Sequence, residues 1–470
     1  MDYVLAIDQG THASRALLFD ANGKRVAGHL IPVTLNRAQV NRVEQDPGEI
    51  LDSVTEAVRQ TLQSLPPGER DRVHACGITT QRSTVLAWQA NGAPLSAAIS
   101  WQDTRGAPLV TALQPHATAI RECSGLPLSA HYGASKLHWL HQLLASEPEL
   151  RLGPLASFLL MHLTGGGHVV DHSNAQRMQL MDISSLDWSN QLADWFQLPL
   201  HNLPECRPVV TDYGKLVDSD IPITAVCGDQ NAAWHSNGVP AHGCARINLG
   251  SGAFILAAQP PNDGIPELLS SLSCSDTQNA EWLIEGTVNG AGSALQWFSE
   301  QYGVNDLTAR LPEWLADITS PPLFVNSTGG LGSPWWRPQT EQKFVPENPA
   351  LTKAERAVAV IESILFLLQY NLQYMLRVTT LEHLQVSGGL SHLDALCQKL
   401  ANLSQRPVER SDDPEASARG VAWLAGGQSG DWSARGEAPV FYPRVDAPLL
   451  DRYRKFVDLL DQQAGTPNDN

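Results

Sequence analysis

Cysteine is scarce and never spaced for joint chemistry. Cys76, Cys123, Cys206, Cys227, Cys244, Cys274 and Cys397 are odd in number and scattered, with no Cys-x-x-Cys among them. Neither a disulfide framework nor a zinc knuckle is expected, and they read as reduced thiols of a cytoplasmic protein. Basic residues are outnumbered: 32 Lys and Arg stand against 49 Asp and Glu, a net charge of −17. That balance argues against a protein that tracks a nucleic-acid backbone, so a small-molecule partner is the default. No long apolar run is uninterrupted. The most apolar helical stretch, Ala357 to Leu376, carries Glu362, Gln369, Asn371 and Gln373; it predicts a buried core helix and no membrane span. The opening Met-Asp-Tyr-Val-Leu-Ala-Ile-Asp has no basic leader and meets an acid early, so a first strand is expected there instead of a signal peptide. Low-complexity linkers, a Walker A motif and the Gly-x-Gly-x-x-Gly loop of protein kinases are all missing.

What is present is enough chain for two large domains: 470 residues, 43% of them hydrophobic. Strands are predicted at Val4 to Asp8, Arg15 to Asp20 and Val26 to Val33, joined by a Gly-containing turn and by Asn22-Gly23. Asp46-Pro47 then supplies an N-cap and a first-turn proline for a helix whose apolar face is Ile50, Leu51, Val54, Val58, Leu62 and Leu65. A strand from Val73 to Thr79 and a hairpin from Thr84, turned at Asn91-Gly92, follow. The same grammar returns at Arg246 to Leu256, again strand, Gly turn, strand, which suggests two related lobes. The loop Asn237 to Gly243 marks the boundary, giving lobes 1–238 and 239–470.

Two turns have the chemistry of phosphate cradles. Gly10, Thr11, Ala13 and Ser14 in one, and Gly250-Ser251-Gly252 in the other, offer backbone N–H groups and hydroxyls on a concave side. Asp8 ends an apolar strand just before the first turn, where a carboxylate either holds Mg²⁺ beside the phosphates or merely caps the turn. Asp229 follows the buried-strand pattern Ile221 to Cys227 and Gly228. A general base for a hydroxyl nucleophile and a helix N-cap are equally good readings of it from its surroundings alone.

Taken in order, these landmarks resemble the FGGY carbohydrate kinases, in the branch that includes glycerol kinase. Asp8-Gln-Gly-Thr-His-Ala-Ser-Arg15, Glu44-Gln-Asp-Pro47, Gly77-Ile-Thr-Thr-Gln-Arg82, Trp101-Gln-Asp103, Asp171-His-Ser-Asn-Ala175 and Gly228-Asp-Gln230 carry the resemblance in the first lobe. Gly250-Ser-Gly252, Gly290 to Trp297, Gly330 to Trp336, Ser387-Gly-Gly389 and Ala418-Arg-Gly420 carry it in the second. The resemblance implies an α/β protein of two actin-like, ribonuclease H-like lobes with a cleft between them, and ATP-dependent phosphorylation of a small polyol or sugar. It assigns Thr11, Ser14 and Arg15 to the ATP phosphates, with Ser251 as the second lobe's counterpart. Gly292, Gln296 and Gly389 fall to the nucleotide and Asp8 to Mg²⁺. Arg82, Ser83, Trp101, Asp103, His131, Asp229 and Gln230 fall on the acceptor side, with Asp229 as general base. No nucleic-acid or membrane partner is implied, and a homodimer is left open.

Departures from the pattern bear on the substrate. Ser83 stands where glycerol kinases carry a Glu that hydrogen-bonds glycerol, and His131 stands where they carry Tyr, with Tyr132 next to it. His12 and Ala13 replace Thr and Ser in the phosphate turn, and Leu393 replaces an adenine-side Asn. The basic, Gly-rich loop through which many bacterial glycerol kinases sense a sugar bisphosphate is missing before Gly228. Losing a carboxylate from a polyol site removes charge-assisted hydrogen bonds, so an acceptor other than glycerol is expected. A pentulose kinase and a catalytically weak metabolite sensor are the alternatives; a chaperone-like ATPase is disfavoured by Arg82, Trp101 and Asp103.

Overall fold

A computed structural model describes residues 2–39, 41–259, 265–337, 340–411, 415–429, 432 and 438–465. The chain divides into two compact units that are not contiguous in sequence. The first comprises residues 1–240, 271–281 and 415–433; the second comprises 241–270, 282–414 and 434–470. The first crossover therefore lies close to the sequence boundary at 238, and two later segments return to the first unit.

In the first unit β1 (Tyr3–Gln9), β2 (Ala13–Asp20) and β3 (Arg25–Pro32) form an antiparallel meander. Strand Val73–Thr80 adds parallel to β1, and Ile223–Gly228 adds parallel to Val73–Thr80. β1 is central and almost wholly buried, as its unbroken apolar run requires, whereas β3 at the edge is half-exposed. Successive side chains of β1 serve different layers because the strand period is two. Leu5 and Ile7 join one core with Ile50, Val54 and Val58 of α1 (Pro47–Gln63). Val4 instead lies under Gly426, just past the helix Ala416–Ala425, which packs along β1 and Val73–Thr80. The N-cap of α1 is Asp46, whose carboxylate accepts from the Gly48 and Glu49 amides, with Pro47 in the first turn.

The strand Val85–Gln89 does turn at Asn91-Gly92, but its main partner is Leu150–Pro154, in a second five-stranded sheet with Ala98–Ile99, Arg42–Gln45 and Asn36–Gln39. Cross-strand partners sixty residues apart leave no local signature.

The second unit repeats the topology of the first. Cys244–Leu249, Ala253–Ala258 and Ala280–Val288 form the antiparallel meander; His383–Ser387 and then Val408–Arg410 add in parallel beside Cys244–Leu249. Its core helix, Lys353–Met375, begins with a Thr352/Glu355 capping box and buries Val360, Ile361, Ile364, Leu365 and Leu368. This is the one helix among the described residues long and apolar enough to cross a membrane, and it is enclosed by the core of its unit. The cysteines are all free.

Candidate active site

The loop after β1 is braced from beneath. Gln81 Nε2 donates to both Gln9 Oε1 (3.0 Å) and Gln45 Oε1 (2.9 Å), and Gln45 Nε2 donates to the Thr11 carbonyl (2.9 Å). All three glutamines are buried, and a satisfied buried amide network holds a loop in one conformation. Sequence reading missed this trio because its members lie 36 and 72 residues apart. The turn closes with Gly10 N–H on the Ala13 carbonyl at 2.9 Å. Thr11 Oγ1 accepts from the Trp101 indole N–H at 3.1 Å, tying this turn to the segment that carries Trp101.

Ser14, expected at the ATP phosphates, has a core partner in this structure. Its side chain is fully buried and its Oγ meets Ser53 Oγ of α1 at 2.7 Å, so the hydroxyl faces the core and not the turn. Strand alternation decides this: Ser14 is two residues from Ala16, whose side chain lies in the same core. Arg15 points the other way. Its guanidinium donates to Asp8 Oδ2 at 3.2 Å and lies 3.7 Å from Glu415, which also pairs with Arg25 at 3.5 Å. Asp8 is 5% exposed. Burial raises its carboxyl to about 6, Arg15 opposes the shift, and the charges of Asp229 and Glu415 add to it. It belongs to β1 and caps no turn.

Arg82 and Asp229 come together although 147 positions separate them in sequence. Arg82 Nε lies 3.6 Å from Asp229 Oδ1, and its terminal nitrogen donates to Asn231 Oδ1 at 3.3 Å. Gly228 permits this, since a Cβ there would lie 2.7 Å from Arg82 Cγ. Asp229 opens the helix Asp229–Trp234, whose N-cap is Gly228, so the N-cap reading of Asp229 is not what the backbone adopts. The Gly228 amide donates to Ser173 Oγ at 2.9 Å, and Ser173 in turn donates to the buried Asp171. Gln230 follows at the half-buried second position of this helix.

The remaining acceptor-side residues divide. Trp101 stacks edge-on with His131, ring centroids 5.6 Å apart, and His131 meets Tyr132 at 5.2 Å. Asp103 is wholly buried: it accepts from the Val43 amide at 2.8 Å and from the Arg105 guanidinium at 2.8 and 2.9 Å. Both of its carboxylate oxygens are paired with Arg105. Ser83 is also buried, in a left-handed backbone conformation with φ 63°, and its Oγ has no hydrogen-bond partner.

In the second unit the turn Gly250 to Gly252 seats directly on a helix start. The Gly292 amide donates to the Gly250 carbonyl and the Ser293 amide to the Ser251 carbonyl, both at 2.9 Å. A Cβ on Gly292 would come within 2.8 Å of the Gly250 carbonyl, so glycine is what allows the contact. Ser251, Gln296 and Gly389 are exposed, Gln296 bonding only to Glu300 at 2.9 Å. Gly388 and Gly389 follow the parallel strand His383–Ser387, adjacent to the strand that enters the Gly250 turn. Ligands of α/β sheets sit at such carboxyl ends of parallel strands.

Comparison with known proteins identifies the family and the fold. The profile of the FGGY family of carbohydrate kinases, N-terminal domain, matches residues 3–234, and that of the C-terminal domain matches residues 245–428. The chain belongs to the FGGY family of carbohydrate kinases. Among its relatives, glycerol kinase of Bordetella parapertussis is 34% identical, covering 97% of each chain. That of Thermococcus kodakarensis is 30% identical, covering 96% of this chain and 95% of the relative. The fold is that of Plasmodium falciparum glycerol kinase with ADP, with a TM-score of 0.86 at 23% identity over 99% of this chain and 98% of that one. It is equally that of gluconate kinase from Lactobacillus acidophilus, with a TM-score of 0.86 at 21% identity over 99% of each chain. The architecture is thus the actin-like ATPase fold, and the FGGY protein is an ATP-dependent kinase for a hydroxyl of a small polyol or sugar.

Proposed function

We propose that this kinase prefers a polyol or sugar longer than glycerol, with the first unit presenting the acceptor to Asp229 and the second unit cradling the nucleotide through Ser251, Gly292, Gln296 and Gly389. The observation that carries the specificity is Ser83. Where the glycerol branch carries a carboxylate, this chain has a short hydroxyl enclosed by protein, so no charged anchor for a terminal hydroxyl extends from this position. His131, exposed and edge-on to Trp101, replaces a phenol with a smaller ring. An acceptor with additional hydroxyls satisfies Arg82, Gln230 and His131 in place of the missing carboxylate.

Asp229 takes the proton of the attacking hydroxyl while Arg82 holds the carboxylate in place. Thr11 and Arg15 face the transferred phosphoryl group, and positioning with charge neutralisation is most of what phosphoryl transfer asks of a protein. Asp8 fits a role beside Mg²⁺: a buried carboxylate in the field of Asp229 and Glu415 gains from a divalent cation. Among the described residues no group of three His, Cys, Asp or Glu side chains forms a metal cage, so phosphate oxygens and water would complete the shell. When bound, the ion neutralises charge on the phosphates. The free cysteines and acidic surface suit a cytoplasmic enzyme.

The test is kcat/KM for glycerol, erythritol, ribitol, ribulose and xylulose with MgATP. A five-carbon acceptor is expected to lead, and glycerol ranking clearly first refutes the assignment.

A further inference from the structure

Lys136 is fully buried, yet no carboxylate accepts from its ammonium. Its acceptors are three main-chain carbonyls: Ser83 at 2.7 Å, His131 at 2.8 Å and Ser100 at 3.2 Å. An ammonium has three donors and no acceptor, so three carbonyls match it and a neutral amine would leave one unserved. Nothing in the local sequence calls for a cation here. Lys136 lies in the first turn of the helix Gly133–Leu144, where the helix dipole disfavours positive charge. Burial pulls the group down to about 7 against the favourable charge of Asp103. What offsets both costs is what the ammonium joins.

What it joins are three separate chain segments, each ending next to an acceptor-side residue. Ser83 follows Arg82, Ser100 precedes Trp101, and His131 itself stacks on Trp101. Ser83 sits at positive φ without a side-chain hydrogen bond, so this carbonyl contact helps hold an otherwise strained turn. We propose that Lys136 is a positioning residue for the acceptor: its ammonium ties these three backbones into one frame that sets the placement of Arg82, Trp101 and His131. The kinetic part of this inference rests on the acceptor-side reading of those three residues; the structural part does not.

The experiment compares full-length wild type with Lys136→Met, an unbranched and slightly shorter side chain that removes the donors. Amide hydrogen exchange without any substrate is expected to rise about tenfold at 82–84, 100–102 and 131–133 together, the size that follows from losing one charge-assisted bond per segment. β1 and the strand Cys244–Leu249 are expected to exchange as before. With the best acceptor, the acceptor KM is expected to rise about tenfold while the ATP KM stays within twofold. A general structural role would instead raise exchange throughout or move both KM values. Unchanged exchange at two of the three segments, or a parallel rise in both KM values, overturns the proposal. Lys136→Gln carries the same readouts if Lys136→Met does not accumulate as folded protein; failure of both to fold also overturns it, since a frame confined to the acceptor side does not decide folding. Should wild type show no acceptor-dependent ATP turnover, the kinase-site reading fails and the exchange measurement still judges Lys136.

Discussion

Gly420 is the most demanding contact in the first unit and sits one helix away from the proposed base. A Cβ placed there would lie 1.7 Å from the Ala232 carbonyl oxygen, 2.6 Å from its carbon and 3.2 Å from the Ser236 nitrogen. These are backbone atoms of the helix that Asp229 opens and of the turn that ends it, so no side chain is free to swing aside. Ordinary contact begins at 3.4 Å, so in Gly420→Ala the helices Ala416–Ala425 and Asp229–Trp234 must part by about 1.7 Å in a close-packed interior. Overpacking of this kind costs about 1–3 kcal/mol, a fall of roughly 3–10 °C in the melting temperature of a unit this size. The larger effect is on catalysis. Displacing a reacting group by about 1 Å costs on the order of 10²-fold, and Asp229 rides on the displaced helix. Thermal melts and kcat at saturating substrates check both, with Gly166→Ala as control, since a Cβ on Gly166 meets nothing within 4 Å. A folded Gly420→Ala enzyme with kcat within twofold of wild type would refute the reasoning.

Two further outcomes follow from the site. Asp229→Asn is expected to lower kcat by roughly 10²-fold or more while ATP affinity persists, because general-base assistance is typically worth that much; calorimetric ATP titration beside single-turnover kinetics separates the two. Asp8→Asn is expected to raise apo stability at pH 7.5 in metal-free buffer. The folded carboxyl is raised from 3.8 to about 6, so the native state keeps a proton that the unfolded chain loses. The contribution of Asp8 to wild-type stability therefore falls as pH rises from about 4 to 6, by at most about 3 kcal/mol, and that loss is absent in the variant. Melts from pH 4 to 8 test this, and a difference between the proteins that does not grow with pH counts against it.

The sequence by itself determined the elements and their repeat. The apolar run of β1, the strand–Gly turn–strand pattern from Arg246 to Leu256, the Asp46-Pro47 start of α1 and the polar-interrupted apolar stretch of Lys353–Met375 are local signals, and each forms the element its pattern predicts. In the ordered motifs Gly228-Asp-Gln230 and Gly250-Ser-Gly252, Gly228 admits the Arg82 side chain and Gly252 the Val288 carbonyl at distances a Cβ would crowd. Only the tertiary structure decided which polar residues face inward. The resemblance gave Ser14 and Asp103 ligand roles, and strand alternation turns Ser14 toward α1 while the Arg105 guanidinium occupies the Asp103 carboxylate. The return of 271–281 and 415–433 to the first unit, the buried glutamine trio and the three carbonyls on Lys136 were equally invisible. Apart from the nearby His131 carbonyl on Lys136, these pair residues far apart in the chain, and the hydrogen bonds involved depend on side-chain direction across a sheet or helix interface, which no local pattern encodes.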